Sequence, residues 1–157
     1  RRFGGVQSRP PASTDKECPM HHVSELMIDT VFTLQPSDTL NDARTLMKLA
    51  KIRNTPVTDD EGNFVGLITN RDLLACTISR LIDEKVQEEI DTAIRVSDVM
   101  QCDVDCVTPD TPLREAARLL FEHKCGCLPV LDGRKLVGIL TEADFLRLAM
   151  ILLDKNI

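Results

Sequence analysis

Gly66-Leu67-Ile68-Thr69-Asn70-Arg71-Asp72 returns later in the chain as Gly138-Ile139-Leu140-Thr141-Glu142-Ala143-Asp144. Working outward, Pro36-Ser37-Asp38-Thr39-Leu40 returns as Pro109-Asp110-Thr111-Pro112-Leu113. Met27 and Met100, Ala43 and Ala116, and Pro56 and Pro129 are likewise each 73 positions apart. One deletion in a turn shortens the offset to 72 at Gly66 and Gly138. An offset held over most of a chain means two copies of one supersecondary unit. Copies of about 60 residues bury too little surface to stand alone, so they are expected to share a core.

Each copy reads as β-α-β-β-α. In the first, Val31–Leu34 reads as a short strand and Asp38 as the N-cap of a helix whose inner face carries Leu40, Ala43, Met47 and Ala50. Thr55–Thr58 and Phe64–Ile68 read as strands joined by the turn Asp59–Asn63, with Gly62 or Asn63 suited to positive φ. Thr69 then opens a second helix. In the second copy, Thr111 reads as the cap and Pro112 as the first helical residue. Leu113, Ala116, Ala117, Leu120 and Phe121 form the stripe of a helix buried on one side. Cys76–Arg95 reads as an amphipathic connector with Asp91 on its polar face. The final helix, from Phe145 to Leu153, has hardly any polar side, which calls for cover from a second chain. The chain thus divides into a flexible arm over 1–22, repeats over 23–75 and 96–157, and a connecting helix over 76–95.

The net charge of −6 and the lack of basic stripes with interleaved aromatics argue against a nucleic-acid partner. No apolar run reaches the length of about 18 residues that spans a bilayer, and no secretory h-region is present, so a cytoplasmic location is expected. The chain opens on Arg1, not Met, which fits a piece of a longer protein. The six cysteines lack paired C-x-x-C spacing and read as reduced, mostly buried apolar residues. Cys18, His21 and His22, with the Cys125/Cys127 pair, leave metal or redox sensing as a lesser alternative.

Two β-α-β-β-α copies that each close on Gly-apolar-apolar-Thr-x-x-Asp resemble the tandem cystathionine-β-synthase (CBS) domain pair, or Bateman module. The segments Val23–Met27 and Val96–Met100, the Pro-x-x-x-Leu-x-x-Ala helix starts and the Pro-Val strands carry the same resemblance, over about Val23 to Leu148. It implies an α+β fold of two repeats packed as a pseudo-twofold pair, sheets face to face. It also implies clefts that bind AMP, ADP, ATP or S-adenosylmethionine, and pairs of modules that associate into a disc-like homodimer.

Physical chemistry suits these residues to a nucleotide. The helix N-terminus at Thr69, or at Thr141, offers free N–H groups to a phosphate, and the hydroxyl adds a donor. Asp72 or Asp144, one turn on, is acceptor-only and matches ribose hydroxyls. Gly66 leaves room for a base near the sheet. The resemblance implies adenine reading by backbone near Arg53, Asn54 and Thr55, and near Cys127 and Leu128. The same Thr-x-x-Asp pattern is also a helix-capping box that needs no ligand. Arg71 and Arg53 have no charged counterparts in the second copy, and Glu142 replaces Asn70, so the Thr69/Asp72 corner is expected to hold phosphate better. No nucleophile, histidine and carboxylate stand at catalytic spacing, so a regulatory sensor is expected, with no required cofactor and an unidentified effector protein. The alternative is a dimerisation scaffold with degenerate clefts.

Overall fold

The computed structural model describes residues 20–77 and 83–155, and within them one order of elements occurs twice. Helix α1 (Leu40–Ala50), strands β1 (Asn54–Thr58) and β2 (Phe64–Thr69), and helix α2 (Asn70–Ala75) form the first half. Helices α3 (Glu84–Ala93) and α4 (Val96–Val99) follow. Helix α5 (Leu113–His123), strands β3 (Cys127–Asp132) and β4 (Lys135–Thr141), and helix α6 (Glu142–Asp154) repeat the order. The mixture of helices with two short antiparallel hairpins is an α+β architecture.

The hairpins form where the turn chemistry allows. Gly62 (φ +83°) and Gly133 (φ +62°) adopt the left-handed backbone, while the Asp59 carboxylate accepts the Glu61 and Asn63 N–H groups at 3.0 and 2.9 Å. Each hairpin is widened on both sides by single bridges. Leu34 runs parallel to Val57, and Val107 to Val130. On the other edge the repeats exchange backbone: Gln101 bonds Leu67 in both directions at 2.8 Å, and Ile28 bonds Ile139 in both directions at 2.9 Å.

This exchange reaches into the cores. Val23 is fully buried among Val107, Leu113, Ala116, Leu120, Leu128, Val130 and Leu140, all from the second repeat. Val96 is fully buried among Leu34, Leu40, Ala43, Met47, Val57, Ile68 and Leu73, all from the first. The segment leading into each repeat therefore completes the other one. Backbone bonds fix it there, from Val23 to the Thr111 carbonyl (2.9 Å) and from Val96 to the Asp38 carbonyl (2.7 Å). A third cluster, Leu67, Cys127 and Ile139, joins the two sheets.

Several local readings are corrected. Val31–Leu34 is not a strand: only Leu34 pairs. Thr39, not Asp38, caps α1 and accepts from the Asp42 N–H, while the Asp38 carboxylate takes the Gln35 N–H at 2.7 Å. Pro112 occupies the cap position of α5, and the Thr111 hydroxyl turns back to the Thr108 N–H at 3.0 Å. Phe121, placed on the buried stripe, is 83% exposed, because the inward face of α5 ends at Leu120. On α3 the buried residue is Asp91, while Val86 is exposed. The side chain of Arg44 draws Asp91 inward through a 2.5 Å ion pair, and Gln87 Nε2 donates to its other oxygen at 2.9 Å.

Residues 1–19 of the arm, Cys18 among them, and Ile78, Leu81 and Ile82 of the connector lie outside the described residues. Met20 packs against the second core, and the His21 carbonyl accepts from the Leu113 N–H at 2.9 Å, so packed structure is already in place ahead of Val23.

Candidate functional site

Strand β2 delivers Thr69 to the cap of α2, and β4 delivers Thr141 to the cap of α6. At the first corner, Asp72 Oδ2 accepts the Thr69 N–H (2.8 Å) and hydroxyl (2.9 Å), and Thr69 Oγ1 accepts the Asp72 N–H (3.3 Å). The other oxygen is also engaged: Gln101 Nε2 donates to Asp72 Oδ1 at 3.0 Å. Gln101 sits in the segment exchanged from the second repeat, which brings its amide over the corner.

The second corner differs at that point. Asp144 Oδ2 accepts the Thr141 N–H (2.8 Å) and hydroxyl (3.0 Å). Position 28, offset by 73 from Gln101, is Ile, which has no amide to donate. Asp144 Oδ1 is buried, stands 3.4 Å from Arg147 Nη1 and receives no hydrogen bond among the described residues. The oxygen is thus held by an ion pair with the exposed Arg147 and not by a hydrogen bond, where Asp72 has the Gln101 amide.

The remaining candidates fall beside these corners. The Arg53 carbonyl accepts the Asn70 N–H at 2.7 Å, and the Gly126 carbonyl accepts the Glu142 N–H at 3.4 Å, so each strand start abuts its own corner. Asn54 pairs with Thr69, and Cys127 with Thr141. Asn54 also reaches across to the second repeat, where its amide lies 3.4 Å from the place a Cβ on Gly126 would take. Thr55 and Leu128, offset by 73, are fully buried. Arg71 is exposed. Arg53 and Asn70 line an open cavity of about 460 Å³ with Arg44, Lys48 and Lys51.

Gly66 has a different use from the one expected. A Cβ there would stand 2.7 Å from Met100 Sδ and 3.1 Å from the Gln101 carbonyl; on Gly138 it would stand 2.7 Å from Met27 Sδ and 3.0 Å from the Ile28 carbonyl. The glycines admit the exchanged segments rather than a base. Gln101, Lys48, Lys51 and Arg147 escape motif reading. A comparison of offset positions flags Gln101, because a polar residue there faces Ile28 in the other copy.

The thiols at Cys76, Cys102, Cys106, Cys125 and Cys127 are free. Burial, then the neighbouring Cys125 and Cys106, pushes the Cys127 thiol up to about 12. Burial and the Asp105 carboxylate also raise Cys106 and Cys125, and Glu142 adds to the effect at Cys125. Among the described residues no three His, Cys, Asp or Glu side chains are grouped to hold a metal ion. None of the helices there is long and apolar enough to cross a membrane.

The CBS domain family model matches residues 23–78 and again 96–151. A CBS domain-containing protein of Dictyostelium discoideum is 33% identical over 135 residues, which cover 84% of this chain and 93% of that one. The inosine-5'-monophosphate dehydrogenase of Methanocaldococcus jannaschii is 35% identical over 124 residues, 78% of this chain but only 22% of the enzyme. Among solved structures, CBSX2 in complex with AMP superposes with a TM-score of 0.71 at 33% identity, covering 85% of this chain and 98% of CBSX2. The chain belongs to the CBS domain family and carries the domain twice.

Proposed function

We propose that this tandem CBS pair is a regulatory sensor that binds an adenosyl ligand, of the AMP, ADP, ATP or S-adenosylmethionine class, at its two strand-to-helix corners. It catalyses no reaction of its own. The observation that carries the reading is the doubled corner, a threonine and an aspartate one turn apart at a helix N-terminus. It occurs in a chain that superposes on a pair bound to AMP. The N–H groups and the hydroxyl suit phosphate, and the carboxylate suits the sugar.

The ligand acts by favouring one arrangement of a homodimer over another, and a cytoplasmic effector protein reads the difference. Leu146, Met150 and Leu153 on α6 and Phe121 on α5 are each more than 60% exposed, an apolar surface that a second copy would cover. A thermal-shift titration with the four ligands tests the binding. A working site raises Tm progressively with ligand concentration, by an amount equivalent to about 2.7 kcal/mol at a hundredfold excess over Kd. No shift with any ligand overturns the sensor.

A scaffold reading also has an observation in its favour. Both aspartates already serve as capping-box acceptors, and Asp72 is further held by Gln101. An unresponsive protein that remains dimeric by light scattering would establish the scaffold.

A further inference from the structure

A basin with a single sign of charge lies between the end of α1, Arg53 and the start of α2. Arg44, Lys48, Lys51 and Arg53 line it together with Asn70, and among the described residues no Asp or Glu side chain does so. In a chain of net charge −6 this is a local reversal of sign. The cavity measures about 460 Å³, inside the range of roughly 300–1,000 Å³ that small-molecule sites occupy. Met47 and Leu73 are buried and, with the half-buried Ile52, give it an apolar floor. Cations set over a low-dielectric wall focus the field and draw anions inward. Part of the wall is fixed in advance. Arg44 Nε donates to Asp91 at 2.5 Å, and Nη2 donates to the Leu73 carbonyl at 2.8 Å and the Thr77 hydroxyl at 3.1 Å. Asp91 offsets the Arg44 charge, but the side chains of Lys48, Lys51 and Arg53 have no ion-pair partner among the described residues.

The repeat does not need these charges in order to fold. The 73-residue offset sets Ala117 opposite Arg44, Phe121 opposite Lys48 and Gly126 opposite Arg53, and the 72-residue offset sets Glu142 opposite Asn70. A lysine at a helix C-terminus offsets the helix dipole, which accounts for Lys51 and its counterpart Lys124 but not for Lys48 or Arg53. Thr69, Arg71 and Asp72 take no part in the wall, so the basin is separate from the first corner. We propose that the basin is an anion site, one per chain, for a short phosphate chain of the pyrophosphate or tripolyphosphate class. Three unpaired cations call for a ligand with several negative charges, and lysine and arginine donors suit phosphate oxygens. The site is independent of the adenosyl reading above.

Calorimetry on the full chain with tripolyphosphate at low ionic strength tests it. One equivalent is expected to bind, with an affinity that falls as salt is raised. The double variant Lys48→Gln/Lys51→Gln should lose at least about tenfold in affinity. Its thermal unfolding should match that of the natural chain, because both side chains are exposed. Arg53→Gly, which copies position 126, should weaken tripolyphosphate as well. AMP in the same cell should not displace it. No binding to the natural chain, or equal affinity in the double variant, overturns the site. Competition by AMP also overturns it, since the basin would then be an extension of the Thr69/Asp72 corner. AMP binding without tripolyphosphate binding removes the anion site and leaves the sensor standing, and the opposite result does the reverse.

Discussion

Thr55 buries a hydroxyl that finds no partner among the described residues, at the place where the other repeat has Leu128. Its removal should help. Thr55→Val is expected to raise stability by about 1 kcal/mol in urea denaturation, because the unsatisfied oxygen disappears with little change of shape. Arg44 is the opposite case. Its guanidinium holds the buried Asp91 and also donates to the Leu73 carbonyl at 2.8 Å, tying α1, α2 and α3 together. Arg44→Ala leaves a buried carboxylate unpaired and is expected to lose about 3 kcal/mol in the same measurement. Neither role could be read from the sequence. A charged residue on an amphipathic helix is assigned to solvent by periodicity, and Asp91 meets its partner 47 positions away. Gln101 was hidden for the same reason, since only the fold brings its amide to Asp72. At Asp59, the Asn63 amide and then the backbone hold the carboxyl below its ordinary range. The turn's support is therefore present at neutral pH and lost as acid protonates the folded carboxylate, below about pH 4. The Asn63 amide resonance should shift in that window; a signal constant down to pH 2 would contradict it.

Elements were more legible than residues. The hairpins and the four principal helices of the repeats follow from turn glycines, caps and apolar spacing, all local signals. What local signals missed is pairing and cover. Leu34 makes one bridge where a strand was expected, because its neighbours have no second strand to meet. Phe121 stands outside because the core side of α5 is already filled by Leu113, Ala116 and Leu120. The ends of α1 and α5 also depart from habit, since Lys51 (φ 55°) and Lys124 (φ 52°) take the left-handed position that glycine prefers. Lys124→Gly is expected to raise Tm, by up to about 1 kcal/mol of added stability. Gly138→Ala should act in the other direction, by about 1–3 kcal/mol, because the new methyl meets the Ile28 carbonyl and Met27 Sδ. A neutral result there would mean the exchanged segment is not held against β4.

At the scale of the molecule, the 73-residue offset announced two copies but not which parts of each complete the other. Periodicity marks Val23 and Val96 as apolar, and nothing in the sequence says that each lies in its neighbour's core. Two polypeptides cut between Arg95 and Val96 should therefore each lack a cooperative thermal transition alone and regain one when mixed, as followed by circular dichroism. Independent melting of either piece would show that the exchange adds little. The corner motifs were legible as capping boxes at the starts of α2 and α6, yet the contact of Asp72 with Gln101 was not, since that residue is delivered by the opposite copy.

The traded segments also speak to history. A gene encoding one such unit would produce chains whose ladders stay unfinished until two twins meet, so a single-unit forerunner is expected to work only as a pair of separate polypeptides. Fusion through the region between Cys76 and Arg95 made that meeting unimolecular. Thereafter the twins were free to diverge, so that Arg53 and Arg71 of one now correspond to Gly126 and Ala143 of the other.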